Sequence, residues 1–240
     1  MLKAFVEKIA DMAENKKYEI NGEFYSDKPI HHIKKQKYVL STVRFNSLES
    51  IVKMIKTEVI KQRALPIIVN ISNHDFVKVF TTYDEDYERD SLYESVADVC
   101  HIGCIGSFTE HESAMIMLKS LFNETPDLEY VLHLLTKITE ESSVSSNDNG
   151  LTQTVEAKKG ISLLEKVSVK PRVSLKPYRT FLEVEQPESE FLLRVSEGGK
   201  IALFEADGGM WKISAKRSIK EYFLFELADL IEAGDVVVTA

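Results

Sequence analysis

The chain has 240 residues, of which 44% are hydrophobic and 28% are charged, and its formal net charge is −8. This composition excludes a wholly disordered protein, and the length suffices for one large domain or two small ones with a substantial core. The negative charge favours solubility and excludes a general attraction to nucleic acid or anionic membranes, although a local basic face is compatible with either.

The amino terminus and the cysteines predict a cytoplasmic protein. Charged residues interrupt the apolar ones from Met1 to Met12, so no continuous apolar segment of the signal-peptide type is present. No stretch reaches membrane-spanning length. The two cysteines, Cys100 and Cys104, do not form the framework of a small secreted scaffold. We therefore expect a soluble protein in a reducing compartment, without a membrane partner.

Residues 1–141 are predicted to form a smaller α/β portion. Apolar residues at helical spacing predict an amphipathic helix near the amino terminus, and a strand ending at Phe45 leads into a helix capped by Asn46 and Glu49. Two strands are expected on either side of the four-residue loop 72–75.

The second half of this portion is predicted to be acidic and then helical. Seven acidic residues and Arg89 give the segment 84–98 a net charge of −6, which is typical of a solvated loop or face. Thr109 and Glu112 predict a capping box at the start of one helix, and Pro126 predicts the first position of the next.

The segment 142–150 is polar and lacks periodicity, which indicates a loop or domain boundary. Beyond it, residues 151–215 alternate between apolar and polar, which predicts an antiparallel β-meander. An amphipathic helix from Ile219 to Ile231 and a terminal strand at 236–238 follow. We expect an α+β fold in which amphipathic helices pack on the meander, divided into 1–141, 142–150 and 151–240 or continuous as one domain.

The meander is predicted to end in a hairpin from Ile201 to Ala215. A turn at Gly208-Gly209, or at Asp207-Gly208, would place Phe204 and Trp211 on the same face of the two strands. Because that face is apolar, Trp211 is expected in the core under either register.

Four strings in the C-terminal half resemble a known family. They are Asn-Asp-Asn-Gly-Leu-Thr-Gln at 147–153, Lys-Pro-Tyr-Arg-Thr-Phe at 176–181, Glu-Gln-Pro-Glu-Ser at 185–189 and Leu-Phe-Glu-Ala-Asp-Gly-Gly-Met-Trp-Lys at 203–212. Together they resemble the YfdQ-like family of uncharacterised proteins of tailed phages and prophages, from about Glu141 onward. The resemblance implies a phage or prophage origin and expression inside the bacterial host, and it carries no catalytic residue.

One cluster has the chemistry of a metal site. Cys100, His101, Cys104 and His111 offer thiolate and imidazole groups within twelve positions, which are ligands that zinc prefers. Their spacing is not that of a standard zinc knuckle, so a buried strand beside a helix is the competing interpretation.

A basic segment is the strongest candidate for a binding surface. Seven cations and Glu165 give it a net charge of +6, and alternate positions of a strand would project from one face beside a tyrosine that can stack. Its members are Lys158, Lys159, Lys166, Lys170, Arg172, Lys176, Tyr178 and Arg179. Nucleic acid or nucleotides would suit such a face, whereas a solvated sheet edge that resists aggregation is the competing interpretation. A second cluster, at 31–37, would add to the surface if it folded alongside.

These observations favour a non-enzymatic protein that binds a host or phage component, a protein foremost, in the host cytoplasm, with a role in host takeover or counter-defence. The alternatives are a nucleic-acid-binding accessory factor of phage replication or recombination and a metal-dependent enzyme. The sequence contains no catalytic motif, and we expect no cofactor. A homo-oligomer is compatible with the proline-marked strands.

Overall fold

The computed structural model describes residues 2–13, 17–20, 23–26, 41–59, 66–84, 87–139, 143–148, 153–158, 164–196 and 199–240. The chain divides into two compact units, Met1–Val39 and Leu40–Ala240. In the first unit, helix α1 (Leu2–Ala13) precedes an antiparallel hairpin of β1 (Lys17–Ile20) and β2 (Glu23–Ser26). The predicted amino-terminal helix is confirmed, and its large apolar side chains are exposed.

A five-stranded sheet lies in the second unit. Its strands are β3 (Val43–Phe45), β4 (Ile67–Asn73), β5 (Phe76–Thr81), β6 (Ser91–Val96) and β14 (Val236–Thr239). The order is β14-β4-β5-β6-β3, with antiparallel pairing in the centre and parallel pairing at both edge strands. The hairpin predicted around 72–75 is confirmed, although β4 runs to Asn73 and only two residues form the turn.

Helices cover this sheet and form the first hydrophobic core. They are α2 (Leu48–Met54), continued by a π-helical turn (Ile55–Val59), α5 (Met210–Glu226) and α6 (Ala228–Glu232). This α5 core buries side chains that include Ile51, Ile55, Ile71, Val79, Phe181, Ile219 and Phe223. The cap predicted at Asn46 is wrong by one position, because the Ser47 hydroxyl accepts the hydrogen bond from the Ser50 amide.

A four-stranded antiparallel sheet and two helices form the second hydrophobic core. The elements are α3 (His111–Ser120), β7 (Phe122–Asn123), α4 (Pro126–Thr139), β11 (Arg172–Pro177), β12 (Ser189–Val195) and β13 (Ile201–Glu205), and the strand order is β13-β12-β11-β7. This α4 core buries side chains that include Leu118, Val131, Leu135, Leu175, Phe191, Leu193 and Leu203.

Of the helix starts predicted for α3 and α4, one is confirmed and one is wrong. Pro126 opens α4, where the Thr125 hydroxyl accepts a hydrogen bond from the Leu128 amide. The capping box at Thr109 does not form, because the backbone of Thr109 pairs with Ile201, and α3 begins after Glu110 without a side-chain cap.

The remaining strands form a three-stranded antiparallel meander of β8 (Ser143–Asp148), β9 (Gln153–Lys158) and β10 (Leu164–Val169). The predicted loop at 142–150 is therefore wrong for 143–148, which pair with β9 along their whole length. The α4 core combines residues 102–138 with 169–203, so chain segments on both sides of the predicted boundary share one core. The α+β class and the antiparallel meander are confirmed.

Two other local predictions fail. The acidic segment 84–98 contains β6, in which Leu92 and Tyr93 are buried against the α5 core, so only part of it is a solvated loop. The hairpin from Ile201 to Ala215 is wrong in its second half, because α5 begins at Met210. Within the described residues, every helix is too short or too polar to cross a membrane.

The start of α5 explains why no second strand forms there. Gly208 and Gly209 both have positive φ, 63° and 84°, and turn the chain out of β13. The Asp207 carboxylate accepts hydrogen bonds from the amides of Gly209 and Trp211, at 3.0 and 3.2 Å, which favours a helix start. Trp211 is buried as predicted, but Phe204 contacts the ring of Phe108 instead.

Candidate functional site

The predicted basic face exists on β11, but its charges are paired. Burial alternates along the strand, and Arg172 and Lys176 lie on the less buried side. Arg172 contacts Glu190 at 2.9 Å, and Lys176 contacts Glu185 at 3.0 Å, a hydrogen bond that raises the pKa of Lys176.

Lys170, just before β11, is paired in the same way. Its ammonium lies 2.6 Å from the Asp127 carboxylate. Burial raises the pKa of Asp127, but hydrogen bonds from Lys170 and the Ser174 amide outweigh it and hold that pKa below its ordinary value. These three cations therefore form ion pairs within the protein.

The other predicted basic residues are divided among separate elements. Lys158 ends β9, Lys166 lies in β10, and the register places each opposite a residue of the other strand. Lys159 and the cluster at 31–37 lie outside the described residues. Tyr178 and Arg179 follow β11 and line a cavity instead.

The four predicted metal ligands do not form one ligand set. Cys104 is buried in the α4 core, where burial raises the pKa of its thiol to about 11. The His111 Nε2 atom lies 3.0 Å from the Leu135 carbonyl oxygen. Cys100 and His101 are exposed and line the cavity that also contains Arg179. In the part of the chain that the structure describes, no three His, Cys, Asp or Glu side chains are arranged to hold a metal ion.

This cavity has a volume of about 420 Å³. It lies where the β4–β5 turn, the segment before α3, the segment after β11 and the start of α5 meet. Its apolar wall consists of Val99, Ile102 and Ile105. The polar and aromatic wall consists of His74, Cys100, His101, Tyr178, Arg179, Glu205 and Trp211. A volume of this size is within the range of small-ligand pockets.

Arg179 is the central polar residue of the cavity wall, and only 9% of its side chain is exposed. Its guanidinium donates to Glu205 at 2.6 Å and to the Ser189 hydroxyl, and it lies 3.8 Å from the centre of the Trp211 ring. Burial lowers the pKa of Arg179 to about 10, against the opposing effect of Glu205 and Asp207. Arg179 is therefore charged at neutral pH and is stabilised by a carboxylate and an aromatic face.

Buried hydrogen bonds fix the segment that carries Arg179. The side-chain oxygen of Gln186 accepts from the amides of Arg179 and Thr180, at 2.9 and 3.2 Å. Its side-chain nitrogen donates to the Phe181 carbonyl at 2.9 Å. The Thr180 hydroxyl donates to the His74 carbonyl, which ties the segment to the β4–β5 turn. The cavity wall is thus held by the fold before any ligand arrives.

His74 also contacts the aromatic wall. Its ring meets Trp211 edge-on, with 4.6 Å between the ring centres. Burial lowers the pKa of His74, and the positive charges of Lys212 and Arg179 act in the same direction, whereas Asp75 and Glu205 oppose them. His74 is therefore neutral at neutral pH and can either donate or accept a hydrogen bond.

Two buried N–H groups in this wall have no partner. Among the described residues, the Nε atom of Arg179 and the Nε1 atom of Trp211 are buried and form no hydrogen bond. Leaving such a group unpaired costs about 1–3 kcal/mol. A ligand acceptor that reached either N–H group would remove the cost of leaving that group unpaired.

Sequence reasoning missed His74, Glu205 and Trp211 as members of a site. The four strings that carry the resemblance could have indicated these residues, because three of the strings supply residues of the network around the cavity. The string 176–181 supplies Arg179, 185–189 supplies Gln186 and Ser189, and 203–212 supplies Glu205 and Trp211.

No family model matches the chain, and searches of curated proteins and of solved structures found no match either. The resemblance to the YfdQ-like family therefore stays a prediction.

Proposed function

We propose that this chain is a non-enzymatic interaction protein of phage origin that acts in the bacterial host cytoplasm. It binds a host or phage component through the cavity lined by Arg179 and Trp211. The phage origin rests on the resemblance of the four strings. The binding role rests on one observation, the pair of unpartnered N–H donors in the cavity wall.

A purely structural role for the network would not need these donors unpaired. The Nη atoms of Arg179 and the amide of Gln186 already connect the segment to β12, β13 and its own backbone. Buried polar groups in folded proteins almost always find partners, and each exception calls for an explanation such as a catalytic role or a bound water or ion. The acceptor groups of a bound component would complete the wall.

Several of the residues that suggested the two alternative functions are engaged in contacts within the protein. For nucleic acid, the β11 cations form ion pairs within the protein. For a metal-dependent enzyme, Cys104 lies in the α4 core and His111 contacts a backbone carbonyl.

Component capture from phage-infected cells tests the proposal. The double variant H101A/Y178A removes two rings from the cavity wall, and H133A/Y87A removes one exposed histidine and one exposed tyrosine elsewhere. We expect the wild type and the H133A/Y87A control to retain the same protein or nucleic acid, and the cavity variant to lose at least ninety per cent of it. Equal retention by all three chains would contradict the proposal, as would turnover of a nucleotide that one substitution abolishes.

A further inference from the structure

Helix α5 carries cations that are not paired with carboxylates of the described residues, in contrast to those of β11. Lys212, Lys216, Arg217 and Lys220 project from this helix, and in the described part of the chain none of them lies within 4.0 Å of a carboxylate. Lys212 and Arg217 are exposed, and Lys216 and Lys220 are half-buried. Helix α5 therefore presents a positive surface that is open to an anionic partner.

Three of these lysines form a row that starts at the cavity. Lys212, Lys216 and Lys220 are four residues apart, so they lie on one side of the helix with a rise of about 6 Å between neighbours. The Lys212 ammonium lies 5.5 Å from the centre of the Trp211 ring, and its charge acts on His74. The lysine row thus leads directly away from the aromatic wall.

We infer that the bound component is a single-stranded nucleic acid, with one base in the cavity and its phosphates along the lysine row. The inference rests on the proposed function and names its ligand. Proteins that bind single strands combine a positively charged track with aromatic groups on which bases stack. The row supplies the track, and Tyr178 and His101 in the cavity wall supply the aromatic groups.

The charges indicate which part of the ligand binds at each place, the base in the cavity and the phosphates along the lysine row. Arg179 is already neutralised by Glu205, so the cavity suits a neutral ring better than a phosphate. Base carbonyl and ring-nitrogen acceptors match the unpartnered N–H groups of Arg179 and Trp211. A base inside a duplex would first have to leave its stack, which favours a single strand. An acidic protein would match the row but would leave the two unpartnered N–H donors unexplained.

Fluorescence anisotropy with labelled oligo(dT), oligo(rU) and a duplex of equal length tests this inference in the full chain. Three phosphate contacts on a single strand predict a slope of about −2 for log affinity against log salt. Affinity should then fall roughly twentyfold between 50 and 200 mM salt. The variant K212Q/K216Q/K220Q should bind at least tenfold more weakly at 50 mM salt and show a flatter slope.

The matched control changes the same charge elsewhere. K53Q/K119Q/K137Q alters three exposed lysines that lie on α2, α3 and α4, and it should bind within twofold of the wild type. Equal weakening in both triple variants, equal affinity for the duplex, or no binding at 50 mM salt would overturn the inference.

Trp211 reports on the base directly, because it is the only tryptophan in the chain. Its fluorescence should be quenched by the oligonucleotides and unchanged by inorganic polyphosphate, which carries backbone-like charge without bases. Equal quenching by an abasic oligonucleotide would refute the placement of a base in the cavity. If H101A/Y178A loses a captured protein while no oligonucleotide binds the wild type, the nucleic-acid inference fails and the proposed function stands.

Discussion

Gln186 provides the sharpest test of how the cavity wall is held. Only 4% of this residue is exposed, and its amide connects four backbone groups of the segment between β11 and β12. The substitution Gln186→Ala removes the amide and leaves the backbone in place. It therefore deprives two N–H groups and two carbonyl oxygens of a partner at once.

The expected cost follows from the distances. Three of the four hydrogen bonds are 2.9, 3.2 and 2.9 Å long, and the fourth, to the Val184 carbonyl, is weaker at 3.4 Å. At about 1 kcal/mol for each of the three shorter bonds, the free energy of unfolding should fall by about 3 kcal/mol. This is a large share of the 5–15 kcal/mol typical of folded proteins.

Urea unfolding, followed by far-ultraviolet circular dichroism and by Trp211 fluorescence, measures this change as a lower midpoint at an unchanged slope. Asn70→Ala is the control, because it removes a half-buried amide whose hydrogen bonds are exposed and go only to side chains, and it should cost about 0.5 kcal/mol or less. If Gln186→Ala costs less than about 1 kcal/mol, or no more than the control, the network does not hold the wall as argued.

Three further outcomes are expected. Because the pKa of His74 is lowered below 6.5 in the folded protein, the unfolded state takes up a proton first as the pH falls, so stability should decrease from about pH 6.5 downward. The substitution His74→Gln should weaken this decrease in the free energy of unfolding, measured by denaturant titrations at several pH values. An unchanged pH dependence would contradict a lowered pKa of His74. Gly209→Ala, at a φ of 84°, should lower the free energy of unfolding by about 1 kcal/mol in the same assay, whereas no loss would show that the turn tolerates a side chain. A thiol reagent at pH 8 should modify one equivalent of cysteine rapidly, at exposed Cys100, because buried Cys104 has a pKa of about 11; two equally fast equivalents would disprove this.

The start of α5 shows what a local pattern can and cannot predict. Residues 201–215 alternate well enough to suggest a hairpin, and two glycines supply a turn. The spacing of Trp211, Ala215, Ile219 and Phe223 is four residues, however, and all four are buried on one side of α5. That longer period was present in the sequence, but it is visible only when the pattern is followed past residue 215.

Predictions made from the charge of a segment were limited by a different factor. The alternation on β11 correctly placed Arg172 and Lys176 on one face, because period two is a property of the strand itself. Their partners, Glu190 and Glu185, come from beyond the strand, and pairing between separate segments depends on tertiary structure. Net charge over a run of residues therefore predicted which residues carry the charge and did not predict whether that charge is available.

The path of the chain between β11 and β12 has a consequence for cooperativity. Leu175 and Phe191 belong to the α4 core, whereas Phe181, between them, belongs to the α5 core. The chain leaves one core, enters the other and returns within sixteen positions. Unfolding of either core would displace the segment that the two cores share. Leu40–Ala240 should therefore unfold in a single transition. A chain divided at residue 150 would give neither fragment a complete interior.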